Sequence, residues 1–199
     1  MLSYKNFFLE YSKKLSETLK KHHYDEIEKI TKYLEKNIKL KKKIFVCGNG
    51  GSASIANHFL CDFNKGVKIS SSKKIVPEVI SLTNSIELIT AIANDINFEK
   101  IFTSQLENYG KKNDILIIIS SSGKSKNIVD AAKFGKKNKF KIISLIGFSE
   151  NRYLKKISKY YINLNTKNYG ITEDIFQSIM HMISQYLRFK NSRKLKEIL

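Results

Sequence analysis

Ile44-Phe45-Val46-Cys47-Gly48-Asn49-Gly50-Gly51-Ser52 runs from an apolar stretch into a glycine turn. Ala53-Ser54-Ile55-Ala56-Asn57-His58-Phe59-Leu60-Cys61-Asp62 follows with helical spacing. A short, wholly apolar run reads as a strand buried on both faces, and Ser52 is placed to open a helix. Glycines let a backbone approach an anion closely, and free N–H groups at a helix start attract phosphate. His58 and Asp62 stand four apart, so they share a face of that helix. A phosphate cradle beside a His/carboxylate pair points to an enzyme acting on a phosphorylated substrate.

Outward from this unit, apolar runs alternate with helical segments. Strands are expected at Ile44–Cys47, Val79–Leu82, Ile115–Ile119, Ile142–Ile146 and Tyr160–Leu164, and helices near 52–64, 85–93, 97–109, 124–137 and 171–190. This alternation predicts an α/β fold, a flavodoxin-like doubly wound sheet of about five parallel strands with ligands at the strand carboxyl ends. Leu2, Phe7, Phe8, Tyr11, Leu15 and Leu19 form one helical stripe, and Ile27, Ile30, Leu34 and Ile38 another, with a break expected at His22–Asp25. These two helices form an N-terminal extension, 1–40, ahead of a core at 41–199. The Ser-rich basic stretch Lys65–Lys74 reads as a flexible loop.

The 199 residues suit one domain, and 42% hydrophobic content is that of a globular chain. No apolar run approaches the roughly 18 residues of a membrane span, and residues 1–21 lack a signal-peptide core, so a cytoplasmic protein is expected. Cys47 and Cys61 both fall in apolar contexts and are expected to be buried free thiols. A net charge of +18 raises the question of nucleic acid. The charge is nearly all lysine spread along the chain, with arginine only at 152, 188 and 193, which speaks against a nucleic-acid partner.

The glycine turn lacks the spacing of a dinucleotide fingerprint, since Ala53 stands where the third glycine would be, and it is no Walker A loop. Gly123-Lys124-Ser125 imitates the end of a Walker loop, but Ile118 replaces its first glycine. A second loop, Ser120-Ser121-Ser122-Gly123-Lys124-Ser125, follows an apolar strand and opens a helix. Its hydroxyls and turn amides suit a phosphate monoester, although serine is also a favoured helix cap.

The segments CGNGGSASIANHF at 47–59, SLTNSIELITAIANDINFEKIFTSQL at 81–106, DILIIISSSGKSKNIV at 114–129 and EDIFQSIMH at 173–181 together resemble the sugar isomerase (SIS) domain family, in its phosphoheptose isomerase branch. The resemblance spans nearly the whole chain as a single SIS domain, 1–199. It implies that Asn49, Gly50, Gly51 and Ser52 line the sugar-phosphate site, and that Ser120, Ser121, Ser122 and Ser125 surround the phosphate. It places Asn94 and Asp95 near the substrate. It further implies a divalent metal, zinc, with His58, Asp62, Gln177 and Gln185 at the ligand positions, and a homotetramer with sites between subunits. The implied reaction converts sedoheptulose 7-phosphate to D-glycero-D-manno-heptose 7-phosphate through an enediol, in nucleotide-heptose synthesis for lipopolysaccharide or capsule. Such a reaction moves a proton between adjacent carbons and needs a group to carry it and another to stabilise the developing oxyanion.

Two positions depart from the family. Asp62 stands where the family has its catalytic Glu, and a displacement of about 1 Å can cost about a hundredfold. Gln185 stands where the family has its second His, and an amide cannot serve as a base. His181 lies about 40° round the helix from both Gln177 and Gln185, so it projects from the same face. The catalytic candidates are therefore Asp62, His181 and Gln185. Glu173 and Asp174 fit the first turn of the last helix, where negative charge suits the dipole. The competing reading is a non-enzymatic SIS protein that binds a replication initiator or senses a sugar phosphate.

Overall fold

The computed structural model describes residues 3–20, 24–72, 74–148 and 150–192. Chain order is α1 (Tyr4–Lys20), α2 (Tyr24–Lys39), β1 (Ile44–Cys47), α3 (Gly51–Cys61), a π-helical turn (Asp62–Val67), α4 (Lys68–Ser70) and β2 (Val79–Ser81). Next come α5 (Ile86–Asp95), a 3-10 turn (Phe98–Lys100), α6 (Thr103–Tyr109), β3 (Ile115–Ser120), α7 (Lys126–Lys137) and β4 (Lys141–Ile146). The described chain closes with α8 (Arg152–Ile157), β5 (Tyr160–Asn163) and α9 (Tyr169–Asn191).

The strands form one parallel sheet in the order β2-β1-β3-β4-β5. That is the doubly wound flavodoxin order, which reverses direction between β1 and β3. Alternate residues feed two cores. Ile44, Val46, Ile115, Ile117, Ile143 and Leu145 meet α2, α3 and α9 on one face. Phe45, Cys47, Leu116, Ile118, Ile142 and Ile146 meet α5 to α8 on the other. Side chains of period two on a sheet buried on both sides produce this division, and hence the unbroken apolar reading of each strand.

The first face builds the frame for α3. Phe59, Phe63 and Val67 are fully buried, as are Ile175, Phe176 and Leu187 of α9. Each such side chain contributes about 2 kcal/mol of burial. The π-helical turn adds an extra residue per turn. It keeps Phe63 and Val67 in the core while Asp62 faces α9.

Several expectations are corrected. The Lys65–Lys74 stretch, expected as a flexible loop, is helical over 65–70, in the π-helical turn and α4, held because Val67 and Ser71 are buried, and Lys73 lies outside the described residues. Cys47 is buried, but Cys61 is exposed, because its position on α3 turns it away from Phe59. Burial pushes the Cys47 thiol up to about 12. Helix α9 starts at Tyr169, with Asn168 Oδ1 accepting from the Ile171 N–H, so Glu173 and Asp174 lie beyond its first turn. Helix α8 escaped the sequence reading because six residues give too short a period. His22 and His23 lie outside the described residues. Among the described residues, no helix is long and apolar enough to cross a membrane.

Candidate active site

The glycine turn caps the carboxyl end of β1. A Cβ on Gly48 would meet Ser52 at 2.7 Å, and Gly50 adopts φ +55°, so both positions require glycine. The turn folds Ser52 into the interior, where it is 2% exposed, its N–H bonded to the Asn49 carbonyl. Gly51 stays at the surface as the first residue of α3.

The serine loop leaves β3, the neighbour of β1. Its conformation is set from within: Ser120 Oγ accepts from the Gly123 N–H at 3.0 Å, and Ser122 Oγ accepts from the Lys124 N–H at 3.2 Å. Gly123 adopts φ +66°. Asn151 Nδ2 donates to its carbonyl at 2.6 Å and holds the loop from the α8 side. Ser125 occupies the cap position of α7, yet its hydroxyl makes no capping bond. That hydroxyl and the Lys126 and Asn127 amides are therefore free to meet an anion.

The two loops are joined. Asn49 and Asn127 exchange amide hydrogen bonds of 3.0 and 2.9 Å, and Asn127 is 1% exposed. Asn127 Oδ1 also accepts from the Ile128 N–H. Sequence reasoning missed Asn127, a polar residue in the first turn of an amphipathic helix with nothing to mark it as buried. Convergence of loops on neighbouring strands follows from the β1/β3 reversal, but the tie between them is a tertiary fact.

Along α3 and α9 lies a second group of polar side chains. His58 Nε2 and His181 Nε2 are 3.0 Å apart, and Gln177 Nε2 lies 2.8 Å from His181 Nε2. Asp62 places Oδ1 3.6 Å from His58 Nε2 and Oδ2 3.8 Å from His181 Nε2. His58, Asp62 and His181 each present one ligand atom, all within 4.8 Å of one another. Lone pairs of two imidazoles and a carboxylate that face one point suit a divalent ion such as zinc. Ser184 Oγ donates to Asp62 Oδ2 at 3.0 Å and orients the carboxylate.

Gln185 makes no hydrogen bond to this group. Ser184, not Gln185, meets Asp62 at that level of α9, and His181 takes the place beside His58. Asn94 and Asp95 bond to each other at 2.8 Å, exposed at the end of α5, with no hydrogen bond to either loop or to the histidines. The 81–106 segment instead fastens α3: Ser81 Oγ and Thr83 Oγ1 both donate to Asn57 Oδ1, at 2.6 and 2.9 Å.

Helices α3 and α9 run parallel, and their contacts keep step. The Glu173 carboxylate lies where a Cβ on Gly51 would stand, His181 meets His58, Ser184 meets Asp62, and Arg188 packs on Gly66. One helix pair therefore carries the glycine turn at one end and the imidazole–carboxylate group about 10 Å further on, at 1.5 Å per residue from 51 to 58.

Comparison with known proteins places this arrangement. A phosphoheptose isomerase of Helicobacter pylori (strain ATCC 700392 / 26695) is 45% identical over 105 residues, 53% of this chain and 53% of the relative. The chain thus spans about half the length of that relative in the match. The phosphoheptose isomerase of Chlorobaculum tepidum is 33% identical over 137 residues, 69% of this chain and 65% of the relative. Among solved structures, a phosphoheptose isomerase from Francisella tularensis superposes with a TM-score of 0.81 at 26% identity, covering 94% of this chain and 98% of that one. The phosphoheptose isomerase of Neisseria gonorrhoeae, at 23% identity and a TM-score of 0.80, shares the fold over 92% of this chain and 95% of its own. The SIS domain pattern matches residues 7–147, and the chain belongs to the SIS-domain family.

Proposed function

We propose that this protein is a phosphoheptose isomerase that interconverts sedoheptulose 7-phosphate and D-glycero-D-manno-heptose 7-phosphate. The observation that carries the reading is the shared helix pair, with tied anion loops at one end and His58, Asp62, Gln177 and His181 together further along. A substrate with phosphate at one terminus and a carbonyl at the other matches that layout.

In this reading, the free Ser125 hydroxyl and the Lys126 and Asn127 amides hold the phosphate, with Ser120, Ser121 and Ser122 shaping the loop. Asn49, held by Asn127, lines the sugar beside Gly50 and Gly51, and the buried Ser52 shapes the turn beneath them. Zinc would be held by His58 and Asp62 with the Gln177 amide as third ligand, which leaves the other converging atom, His181 Nε2, off the metal; bound there, zinc would supply Lewis-acid polarisation of the carbonyl oxygen. His181 Nε2 faces the same space and carries the proton between adjacent carbons. Asn94 and Asp95 would reach substrate only from the surface of α5.

The non-enzymatic reading rested on the missing His at 185. His181 supplies an imidazole at the same group, so that support falls away. We place the enzyme in the cytoplasm, in nucleotide-heptose synthesis for lipopolysaccharide or capsule, with residues 1–199 acting as one SIS unit. Exposed Tyr24, Met182 and Tyr186 border a groove between α2 and α9, which supports assembly through the helical face into a homotetramer.

Purified protein with zinc and sedoheptulose 7-phosphate should form the aldose phosphate, followed by NMR. Absence of product, with Asp62→Asn indistinguishable from the unaltered protein, would overturn the assignment.

A further inference from the structure

We propose that Glu173 is the sugar-recognition residue of this site, accepting hydrogen bonds from substrate hydroxyls beside the glycine turn. The inference deepens the isomerase reading and rests on it.

The Glu173 carboxylate occupies the space that any side chain at position 51 would need, so Gly51 is small because Glu173 lies against it. Gly51 itself is exposed and Glu173 half-buried, which leaves the carboxylate at the wall of the site. Among the described residues, the carboxylate has no hydrogen bond and no ion pair. In a chain of net charge +18, where most acidic groups on α2 and α9 have found a lysine or a hydroxyl, an unpartnered carboxylate stands out. Asp174, its neighbour, accepts from Tyr11 Oη at 2.8 Å and so serves packing.

The charge of Glu173 also divides the labour between the loops. A phosphate dianion on the Gly51 turn would face a carboxylate, and like charges at contact repel strongly outside bulk water. The serine loop carries no acidic side chain and keeps the Ser125 hydroxyl and the Lys126 and Asn127 amides unspent. Phosphate therefore goes to the serine loop, and the neutral, hydroxyl-bearing part of the substrate goes to Glu173. An ionised carboxylate accepts hydroxyl donors with charge-assisted bonds, about twice as strong as neutral ones.

A carboxylate at this place also complements the α3 dipole. That role would appear as lost stability with binding unchanged. The test is Glu173→Gln, which keeps shape and removes charge. The expected result is a KM for sedoheptulose 7-phosphate raised about tenfold or more, from a charged hydrogen bond lost. Competitive inhibition by inorganic phosphate should stay within about twofold or tighten, and the melting temperature should hold.

An unchanged KM, equal weakening of sugar phosphate and inorganic phosphate, or a fall in melting temperature alone would each overturn the inference. If the unaltered protein turns nothing over, the isomerase reading fails separately. The same comparison is then read from thermal stabilisation by the two ligands, and no stabilisation by sedoheptulose 7-phosphate overturns this proposal too.

Discussion

Asn49 and Asn127 face each other across 78 residues of chain and close a two-bond amide pair between the glycine turn and the start of α7. Each supplies one donor and one acceptor to the other, so neither can be shortened without stranding its partner. The pair sets the spacing of the glycine and serine loops, which lie on strands adjacent in the sheet but distant in sequence. We predict that Asn127→Ala lowers stability by about 1–3 kcal/mol, the range for a buried polar group left unpaired. Thermal stabilisation by sugar phosphate should fall in the same variant, because the loops no longer hold their separation. Urea unfolding and a ligand-shift assay measure the two effects independently.

The histidine group makes a sharper prediction, because it separates holding a metal from moving a proton. His58→Ala should lose both bound zinc and turnover. His181→Ala should keep most of the metal, held by His58, Asp62 and Gln177, and lose turnover by about a hundredfold to ten-thousandfold, the range for a general acid–base group. Gln185→Ala should stay within about threefold, since Ser184 and not Gln185 contacts Asp62. Metal analysis of each variant beside its rate decides the assignments, and a Gln185 variant as damaged as the His181 variant would restore the alternative.

The sheet was legible because its strands are buried on both faces. Ile44–Cys47 and Ile115–Ser120 hold no exposed position, so neither alternates and both read as single apolar blocks. His58 and Asp62 were legible because a helix puts i and i+4 on one face. Glu173 was not legible. Its meaning comes from Gly51, 122 positions away, and local rules assign a carboxylate near a helix start to the dipole. The π-helical turn was hidden for a related reason. Lys65, Lys68, Ser70 and Ser72 are the outer face of a segment anchored by Phe63, Val67 and Ser71. Composition sees the face and misses the anchors.

Gly51→Ala gives a test of the α3–α9 seam that runs against ordinary expectation. Position 51 is the first residue of α3 and has no positive φ, so alanine is compatible with the backbone there. Alanine is favoured over glycine in helices by about 1 kcal/mol. The atoms nearest the new Cβ are all at the far end of the Glu173 side chain, which can swing aside. Stability should therefore change by no more than about 1 kcal/mol in either direction, while sugar-phosphate binding weakens. Chemical denaturation paired with ligand titration reads both, and a variant that binds normally would show that the packing of Glu173 on Gly51 has no functional weight.

Glu35 predicts the acid limb of stability. Its side chain is 7% exposed and meets Lys190 at 2.7 Å and Lys39 at 3.0 Å, tying α2 to α9. Burial alone would raise its pKa, but the hydrogen bonds and charges of Lys190 and Lys39 outweigh burial and leave it below the ordinary value of 4.5. A carboxyl whose folded pKa is depressed binds fewer protons in the folded state than in the unfolded one. Its stabilisation is complete above the unfolded pKa and is lost as pH falls through the folded value. Glu35→Gln should therefore destabilise the protein at neutral pH, by about 1–2 kcal/mol because both lysines are half-exposed. Below pH 4.5 the difference between variant and unaltered protein should shrink as the carboxylate takes up its proton. Urea midpoints collected from neutral pH into that acid range measure the convergence, and parallel curves throughout would show that the pair contributes no pH-linked stability.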